Sequence, residues 1–362
     1  MSASEDQIAR LRLIRSDNIG PVTYFHLLAR FGSASAALDA VPDLATRGGG
    51  RAPRLASRAS VEREIEQVAR LGARYLFLGQ GLYPPLLAEI ETAPPALIVK
   101  GHVTLLEKPA IAMVGARNAS AAACRFARML AQDVGAAGTV IVSGLARGID
   151  TAAHDGSLES GTIGVIAGGI DIFYPPENEE RQRAIAERGL LVAEQPPGVE
   201  PRARHFPYRN RIIAALAQGT VVVEAAPRSG SLITARYATE FGRDVMAVPG
   251  SPLDPRAQGC NQLIREGAIL VQNAEDVLET IRPFSLRPLA QPGLDYTAPS
   301  AAPDASEGER RTVSDLLSPT PVGVDEIIRQ SGLAPAIVQT VLLELELAGR
   351  LERHAGGKVS LA

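Results

Sequence analysis

Residues 110–120 read AIAMVGARNAS, an apolar run that ends in Gly-Ala-Arg and then in a serine suited to capping a helix. The same layout returns at 139–154 (TVIVSGLARGIDTAAH) and at 220–235 (TVVVEAAPRSGSLITA). Strands that are apolar on both faces and alternate with helices indicate a parallel sheet covered on both sides. We therefore predict an α/β domain over residues 99–285, with its ligand at the carboxyl ends of the strands.

The segments on either side have other patterns. Residues 1–98 predict a helical domain of the SAM-like, helix–hairpin–helix kind, although a purely structural helical pair fits DNIGP (17–21) at least as well. Within it, TRGGGRAPRLASR (46–58) predicts a mobile basic loop. Residues 286–308 are rich in Pro, Ala and Ser and predict a linker. The last segment, 309–362, predicts a winged helix with its wing around two consecutive glycines.

Composition limits the function classes. The 362 residues are 46% hydrophobic and 21% charged with a net charge of −3, so any site for a polyanion must be a local patch. Neither a signal peptide nor an apolar run of membrane-spanning length is expected, which favours the cytoplasm and no membrane partner. Cys124 and Cys260 have no metal or redox spacing and are expected to be free thiols, with no metal and no cofactor.

Three loops at strand ends carry candidate anion-binding residues. A dinucleotide site would need Gly-x-Gly-x-x-Gly after the first strand, and the chain lacks it. Glycines let the backbone approach a ligand, arginines add charge, and helix N-termini accept phosphate. The alternative is a set of ordinary tight turns with solvated arginines, and Asp150, His154 and Glu224 are expected to be structural. The candidates are Gly115, Arg117, Ser143, Gly144, Arg147, Gly148, Ser229, Gly230 and Ser231.

A second cluster of candidates lies in PRARHFPYRNR (201–211), where cations surround aromatic residues. Arginines bind phosphates in forked geometry and an aromatic face stacks on a base, a combination typical of binding single-stranded nucleic acid without reading its sequence. The alternative is that Phe206 packs in the core and the arginines bind carbonyls at strand ends. The candidates are Arg202, Arg204, Phe206, Arg209, Asn210 and Arg211.

Several motifs together resemble one known family. They are VGARNAS (114–120), IVSGLARGIDTAAH (141–154), HFPYRNRIIAAL (205–216), RSGSLITARYATEFGRDVMAVPG (228–250) and GCNQLIREGA (259–268). The chain from about 95 to 282 closely resembles the DNA-processing protein A family, DprA or Smf, and the two flanking domains match its architecture more loosely. The resemblance implies an extended Rossmann-like fold with no established enzymatic activity.

The same resemblance implies a function and roles for residues. Members of the family bind and protect single-stranded DNA in natural transformation, help to load the recombinase RecA, and commonly form homodimers through the Rossmann-like domain. Arg117 and the 143–150 loop would hold phosphates, Phe206 would stack on a base, and Asn210 and Arg211 would shape the pocket. A DNA-binding lysine of the family is replaced here by Arg202 or Arg204.

The competing class is an enzyme. Rossmann-like relatives of the phosphoribohydrolase kind cleave nucleotide monophosphates with a glycine-rich loop and a nearby glutamate. Residues 224–235, EAAPRSGSLITA, only partly match such a loop, and the helix after it lacks a glutamate at its start. We therefore expect no catalytic residues.

Overall fold

The computed structural model describes residues 4–281, 304–354 and 356–362. The chain divides into two units. One, called here the sheet unit, is Glu66–Arg287, and the other, the helical unit, combines Met1–Ile65 with Pro288–Ala362. The predicted linker lies largely outside the described residues.

The N-terminal part of the helical unit consists of amphipathic helices. They are α1 (Glu5–Ile14), α2 (Pro21–Phe31), α3 (Ala34–Arg47) and α4 (Arg58–Arg70), the last of which continues into the sheet unit. Ser4 caps α1 in a capping box with Gln7, and Ser33 caps α3. Proline at the start of α2 removes an N–H that would have no partner inside the helix.

The sheet unit is built around nine strands. They are β1 (Arg74–Phe77), β2 (Ala96–Gly101), β3 (Ala110–Gly115), β4 (Val140–Ser143), β5 (Thr162–Ile166), β6 (Leu190–Ala193), β7 (Gly219–Val223), β8 (Asp244–Ala247) and β9 (Ile269–Leu270). The helices are α5 (Pro85–Ala88), α6 (Ala121–Ala136), α7 (Ile149–Ser157), α8 (Glu179–Arg188), α9 (His205–Ala215), α10 (Ser231–Glu240), α11 (Gln258–Arg265) and α12 (Ala274–Ile281).

The strand order is β1-β2-β6-β5-β4-β3-β7-β8-β9, and the pairs from β6 to β9 are all parallel. Strands β1 and β2 extend the sheet in antiparallel pairings. The prediction that 1–98 is one helical domain is therefore wrong beyond residue 65. Residues 74–77 and 96–101 complete the sheet instead, because their apolar side chains are buried against it.

The predicted parallel sheet is confirmed, and its core follows from the apolar strands. Ile111 and Met113 of β3 pack with Ile141 of β4, Leu130 of α6 and Ile149 of α7, all of them buried. Removing apolar side chains from water contributes roughly 25 cal/mol per Å² of buried area. The helices are thereby held against the sheet with their N-termini at the carboxyl ends of the strands.

The C-terminal part of the helical unit is the predicted winged helix. It contains α13 (Glu307–Asp315), β10 (Val322–Gly323), α14 (Val324–Ser331), α15 (Pro335–Leu347), β11 (Leu351–His354) and β12 (Lys358–Leu361). The three strands form a small antiparallel sheet in the order β10-β12-β11.

Candidate functional site

The order of the strands reverses between β3 and β7, which places a crevice at their carboxyl ends. The backbone closes the inner end of this crevice, because the N–H of Ala116 donates to the carbonyl of Glu224 at 2.7 Å. The loops that follow β3, β4 and β7 are the three that the sequence singled out.

The N-terminus of α6 is occupied by the protein itself. The Ser120 side chain caps the helix at Ala123 N, and the Ser120 N–H donates to Glu224 Oε2 at 2.7 Å. Glu224 holds a left-handed backbone with φ of 52°, rare for a residue with a side chain. A dinucleotide phosphate would need the place that this carboxylate fills. Glu224 is thus a structural residue, as predicted.

The loop after β4 is held by Asp150. Its Oδ2 accepts hydrogen bonds from Gly144 N at 3.1 Å and from Ala146 N at 3.3 Å. The predicted role of Asp150 is to cap α7, and the structure shows instead that it organises the loop before that helix. Burial raises the pKa of this carboxyl, and the charge of Arg209 opposes that rise.

Arg209 provides the buried positive charge of the crevice. Only 6% of the residue is exposed, and its Nε has no hydrogen-bond partner in the described part of the chain. A Cβ atom on Gly144 would lie 1.4 Å from Arg209 Nη1, so only glycine leaves room for the guanidinium. Burial lowers the pKa of Arg209 to about 10, which still leaves it charged at neutral pH.

An aromatic ridge stands at the mouth of the crevice. The ring of Phe206 lies 5.6 Å from that of Tyr174, and the Arg117 guanidinium lies 5.3 Å from the Phe206 ring. Tyr174 is 46% exposed, and Phe206 is half-buried. The alternative that Phe206 is a core residue is therefore wrong, because its ring lines open cavities.

Two cavities meet at this ridge and share Arg117, Phe206 and Arg209. The first has a volume of about 240 Å³ and is lined also by Tyr174, Ile172 and Pro201. The second, of about 540 Å³, is more polar in its residues and includes the start of α10. The first cavity thus combines apolar side chains with arginines, whereas the second is lined by more hydroxyl, amide and guanidinium groups.

Most of the predicted site residues line these cavities. They are Gly115, Arg117, Gly144, Arg147, Phe206, Arg209, Asn210, Ser229, Gly230 and Ser231. Arg147 is exposed and ion-pairs with Glu177, and Asn210 Nδ2 donates to the Gly230 carbonyl at 3.3 Å. The DNA contacts of these residues remain predictions.

Other predicted residues lie elsewhere, and for two of them direct contact is contradicted. The Ser143 side chain is buried and donates to the Met113 carbonyl at 2.6 Å. Arg211 is buried in an ion pair with Glu194 at 2.6 Å. Both point away from the cavities because they satisfy buried partners. Gly148 begins α7 with φ of 75° beside the carbonyl of Ala116, and Arg202 and Arg204 are exposed outside the cavity walls.

Sequence reasoning missed Tyr174, Asn118, Arg228 and Arg256, all of which line a cavity. Tyr174 follows β5 in DIFYPPEN (171–178), so extending the strand-end argument to that loop would have found it. Among residues 4–281, 304–354 and 356–362, no three His, Cys, Asp or Glu side chains group as a metal site. In the same ranges no helix is long and apolar enough to cross a membrane.

Fold and site together define an α/β protein of the Rossmann-like class, with a cationic, aromatic crevice at the switch point of its sheet. The family model described as "DNA recombination-mediator protein A" matches residues 74–282. The models "DprA-like N-terminal HHH domain" and "DprA winged helix domain" match 4–67 and 297–357. The chain belongs to the DNA recombination-mediator protein A family, DprA or Smf, and the resemblance seen in its motifs is confirmed.

Curated relatives agree with this assignment. The DNA processing protein DprA of Streptococcus pneumoniae is 49% identical over 198 residues, which cover 54% of this chain and 70% of that protein. Protein Smf of Escherichia coli is 39% identical over 285 residues, covering 77% and 75%.

Two solved structures are similar. The X-ray structure of S. pneumoniae DprA has a TM-score of 0.64 and 38% identity, and covers 77% of this chain and 98% of that one. A Helicobacter pylori DprA structure, whose subject is its single-stranded DNA binding mode, has a TM-score of 0.52 and 28% identity, covering 57% and 94%.

Proposed function

We propose that this protein binds single-stranded DNA in the crevice without strong sequence preference, protects it, and helps to load RecA during natural transformation and recombination. No enzymatic activity is part of the proposal. The observation that carries it is the ridge of Tyr174, Phe206 and Arg117 between two cavities that also share the buried Arg209.

The ridge suits a single strand because unpaired bases offer faces for stacking. Base–aromatic stacking contributes roughly 1–3 kcal/mol per base and tolerates any base, because every base has a π face. The second cavity, with Ser229, Gly230 and Ser231 at the start of α10, suits the adjoining phosphate. The single-stranded DNA binding mode described for H. pylori DprA supports the assignment.

RecA loading, competence and the cytoplasmic location rest on the family alone. A homodimer through the sheet unit has an additional argument. Ile269 and Leu270 are 38% and 42% exposed on β9, the last strand of the sheet, which within the described residues pairs with β8 alone. An unpaired apolar edge of this kind favours association with a second copy.

The competing proposal is an enzyme that cleaves nucleotide monophosphates. It would need a carboxylate available in the crevice, and Glu224 is the residue in question. Its Oε2 accepts the Ser120 N–H, and Arg256 Nε lies 3.7 Å from Oε1. The carboxylate thus has structural partners on both oxygens, which favours DNA binding over nucleotide cleavage as the function.

A salt-titrated binding assay tests the proposal. Labelled oligo-dT of increasing length, a mixed single strand and a blunt duplex are compared for affinity, and AMP is incubated with the protein in parallel. We expect tight, length-dependent binding of both single strands, weaker duplex binding and no AMP hydrolysis. Hydrolysis of many AMP molecules per protein, or equal affinity for single strands and the duplex, would contradict the proposal.

A further inference from the structure

Helix α15 lies between two hydrophobic cores of the helical unit. Val338, Val341 and Leu342 belong to the winged-helix core, together with Val313 and Ile327. Leu343 and Leu347 belong instead to the core of the N-terminal helices, whose members include Leu27 and Leu44. In a winged helix this last helix normally enters the major groove of duplex DNA. Here its second face is covered by the N-terminal helices.

Two glycines after α3 allow the chain there to approach the backbone of α15 closely. A Cβ on Gly48 would lie 2.1 Å from the Glu344 carbonyl oxygen, and a Cβ on Gly50 would lie 2.3 Å from that of Ala348. These are backbone atoms near the end of α15 and cannot swing aside, so glycine is required. The prediction of a mobile basic loop at 46–58 is therefore wrong for this part, since α3 runs to Arg47 and the glycines after it form a packed contact.

Polar groups complete the contact. Asn18 Nδ2 donates to the Leu347 carbonyl at 3.3 Å, and Arg350 Nη1 donates to the Gly48 carbonyl at 3.1 Å. The last carbonyls of a helix have no partner inside it, and Asn18 supplies one. Arg30 Nη1 adds a bond to Thr340 Oγ1 at 3.2 Å. The partners are about 300 residues apart in sequence, as the separations of 329, 302 and 310 show.

The charges near α15 are engaged within the unit. Arg310 ion-pairs with Glu344 at 2.8 Å, and Arg353 with Glu346 at 2.9 Å. Glu344 is fully buried. The helix itself carries no lysine or arginine, so it offers no cation to DNA phosphates. Because neutralising phosphates contributes most of the affinity for a duplex, α15 is poorly suited to bind one.

We propose that the partner of the C-terminal winged helix is the chain's own N-terminal helical domain. The two are joined into one cooperative unit through α15 and the turn Gly48–Gly50, and α15 is closed to duplex DNA. The winged helix thus completes the N-terminal core. We call the contact of α15 with the N-terminal helices and with the turn Gly48–Gly50 the clasp. This inference does not depend on DNA binding by the sheet unit.

Hydrogen exchange on the full chain tests the joint unit. Gly48→Ala and Gly50→Ala place a methyl group against α15, whereas Gly20→Ala, with no atom within 4 Å of its Cβ, is the matched control. We expect amides of α3 and α15 to exchange faster together, by about tenfold or more, while β3 and α6 stay unchanged. A change in α15 without one in α3, or in neither helix, would overturn the joint unit.

Deletion of residues 304–362 gives a second measurement. We expect α1–α3 to lose protection while the sheet unit keeps it, since Leu343 and Leu347 leave the N-terminal core. Retained protection in α3 would refute the clasp. Affinity for a blunt duplex at physiological salt should be equal in the wild type, Gly50→Ala and the deletion. Weaker duplex binding by the deletion would show that the winged helix contacts the duplex in the wild type, and would refute the closure of α15 to DNA.

Discussion

At the scale of single residues, the crevice depends on a buried cation beside a buried anion. Arg209 and Asp150 are both taken out of water, which raises the pKa of the carboxyl and lowers that of the guanidinium. Removing one member would leave the other charge uncompensated, which is costly in a protein interior. Arg209 therefore compensates the charge of Asp150, which holds the loop after β4, and also lines both cavities. Arg117, which is exposed, is the better residue for isolating a phosphate contact.

Arg117→Ala should weaken single-strand binding and reduce its salt dependence. Each phosphate that the protein no longer neutralises lowers the slope of log affinity against log salt by about 0.7 for a single strand. The slope is measured by fluorescence anisotropy with labelled oligo-dT between low and physiological salt. Arg125→Ala, an exposed arginine on α6 outside both cavities, is the control and should leave the slope unchanged. If folded Arg117→Ala has the same slope as the wild type, Arg117 contacts no phosphate.

Phe206→Ala and Tyr174→Ala separate stacking from charge. Each should cost roughly 1–3 kcal/mol of binding if a base stacks on the ridge, with the salt slope nearly constant because no charge is removed. Tyr208→Ala is the control, since Tyr208 is 55% exposed on the same helix as Phe206 and lies outside the cavity walls. On oligonucleotides with abasic positions, the variants and the wild type should have the same affinity, because no base is present to stack. If Phe206→Ala and Tyr174→Ala bind single strands as tightly as Tyr208→Ala and the wild type, the ridge binds no base.

Residue identities predicted much of this site, and the failures have a common cause. Arginine and glycine at strand ends identified Arg117, Gly144 and Arg209, because parallel strands bring their carboxyl ends to one edge. Ser143 and Arg211 have the same residue types, but buried acceptors turn them inward. The direction of a side chain depends on which partner lies beneath it, and that partner comes from another strand or helix.

At the scale of elements, the positions of helix N-termini decide which anion sites remain open. The start of α6 is filled by Glu224, whereas the start of α10 lines the second cavity. Under the proposed function, we expect a DNA phosphate to lie near Ser231, beside the aromatic ridge, and not at the dinucleotide position. This placement agrees with a strand that runs across the mouth of the crevice.

The edge strand β9 leads to a prediction about assembly. Leu270→Asp puts a charge on the exposed apolar edge and should convert a dimer into a monomer, measured by sedimentation equilibrium at several concentrations. Met129→Asp is the control, because Met129 is 55% exposed on α6 and not on this edge. A monomeric wild type, or a Leu270→Asp variant that stays dimeric, would contradict assembly through β9.

Strands were the elements that sequence predicted best. The three apolar runs at 110–115, 139–143 and 220–223 form β3, β4 and β7, because continuous β-branched stretches fit a sheet buried on both faces. The predicted helical domain, 1–98, includes β1 and the first half of β2, since a four-residue strand such as RYLF is too short to show a period. The contact of Gly48 and Gly50 was missed because a glycine run does not reveal a partner about 300 residues away.

At the scale of the whole molecule, each unit contains a histidine held neutral. Burial lowers the pKa of His26 in the helical unit to about 4, and the charge of Arg353 adds to the effect. In the sheet unit, burial lowers the pKa of His154 to about 3, and its Nδ1 shares a hydrogen bond of 2.7 Å with Thr162 Oγ1. Both histidines bind a proton more readily when the chain is unfolded.

The sign of the resulting pH dependence follows from linkage. The stabilising contribution of each neutral histidine is complete above the unfolded pKa of 6.5 and is lost as pH falls toward the folded value. In the sheet unit, the raised pKa of Asp150 has the opposite sign, because the folded state holds that proton more tightly. Burial and the charge of Arg353 both lower the pKa of His26, so the stability of the helical unit should depend on pH more clearly than that of the sheet unit.

The helical unit should therefore lose at most about 2 kcal/mol of stability between pH 7.5 and pH 5 through His26. Urea unfolding of the full chain is followed at both pH values by hydrogen exchange, which resolves the two units. His26→Gln should flatten the pH dependence of α2, α3 and α15 together, because these helices share one unit and His26 lies near Arg353 of β11. His102→Gln, a change at an exposed site of the sheet unit, is the control. If His26→Gln leaves the pH dependence of the helical unit as steep as in the wild type, another group must set its acid sensitivity.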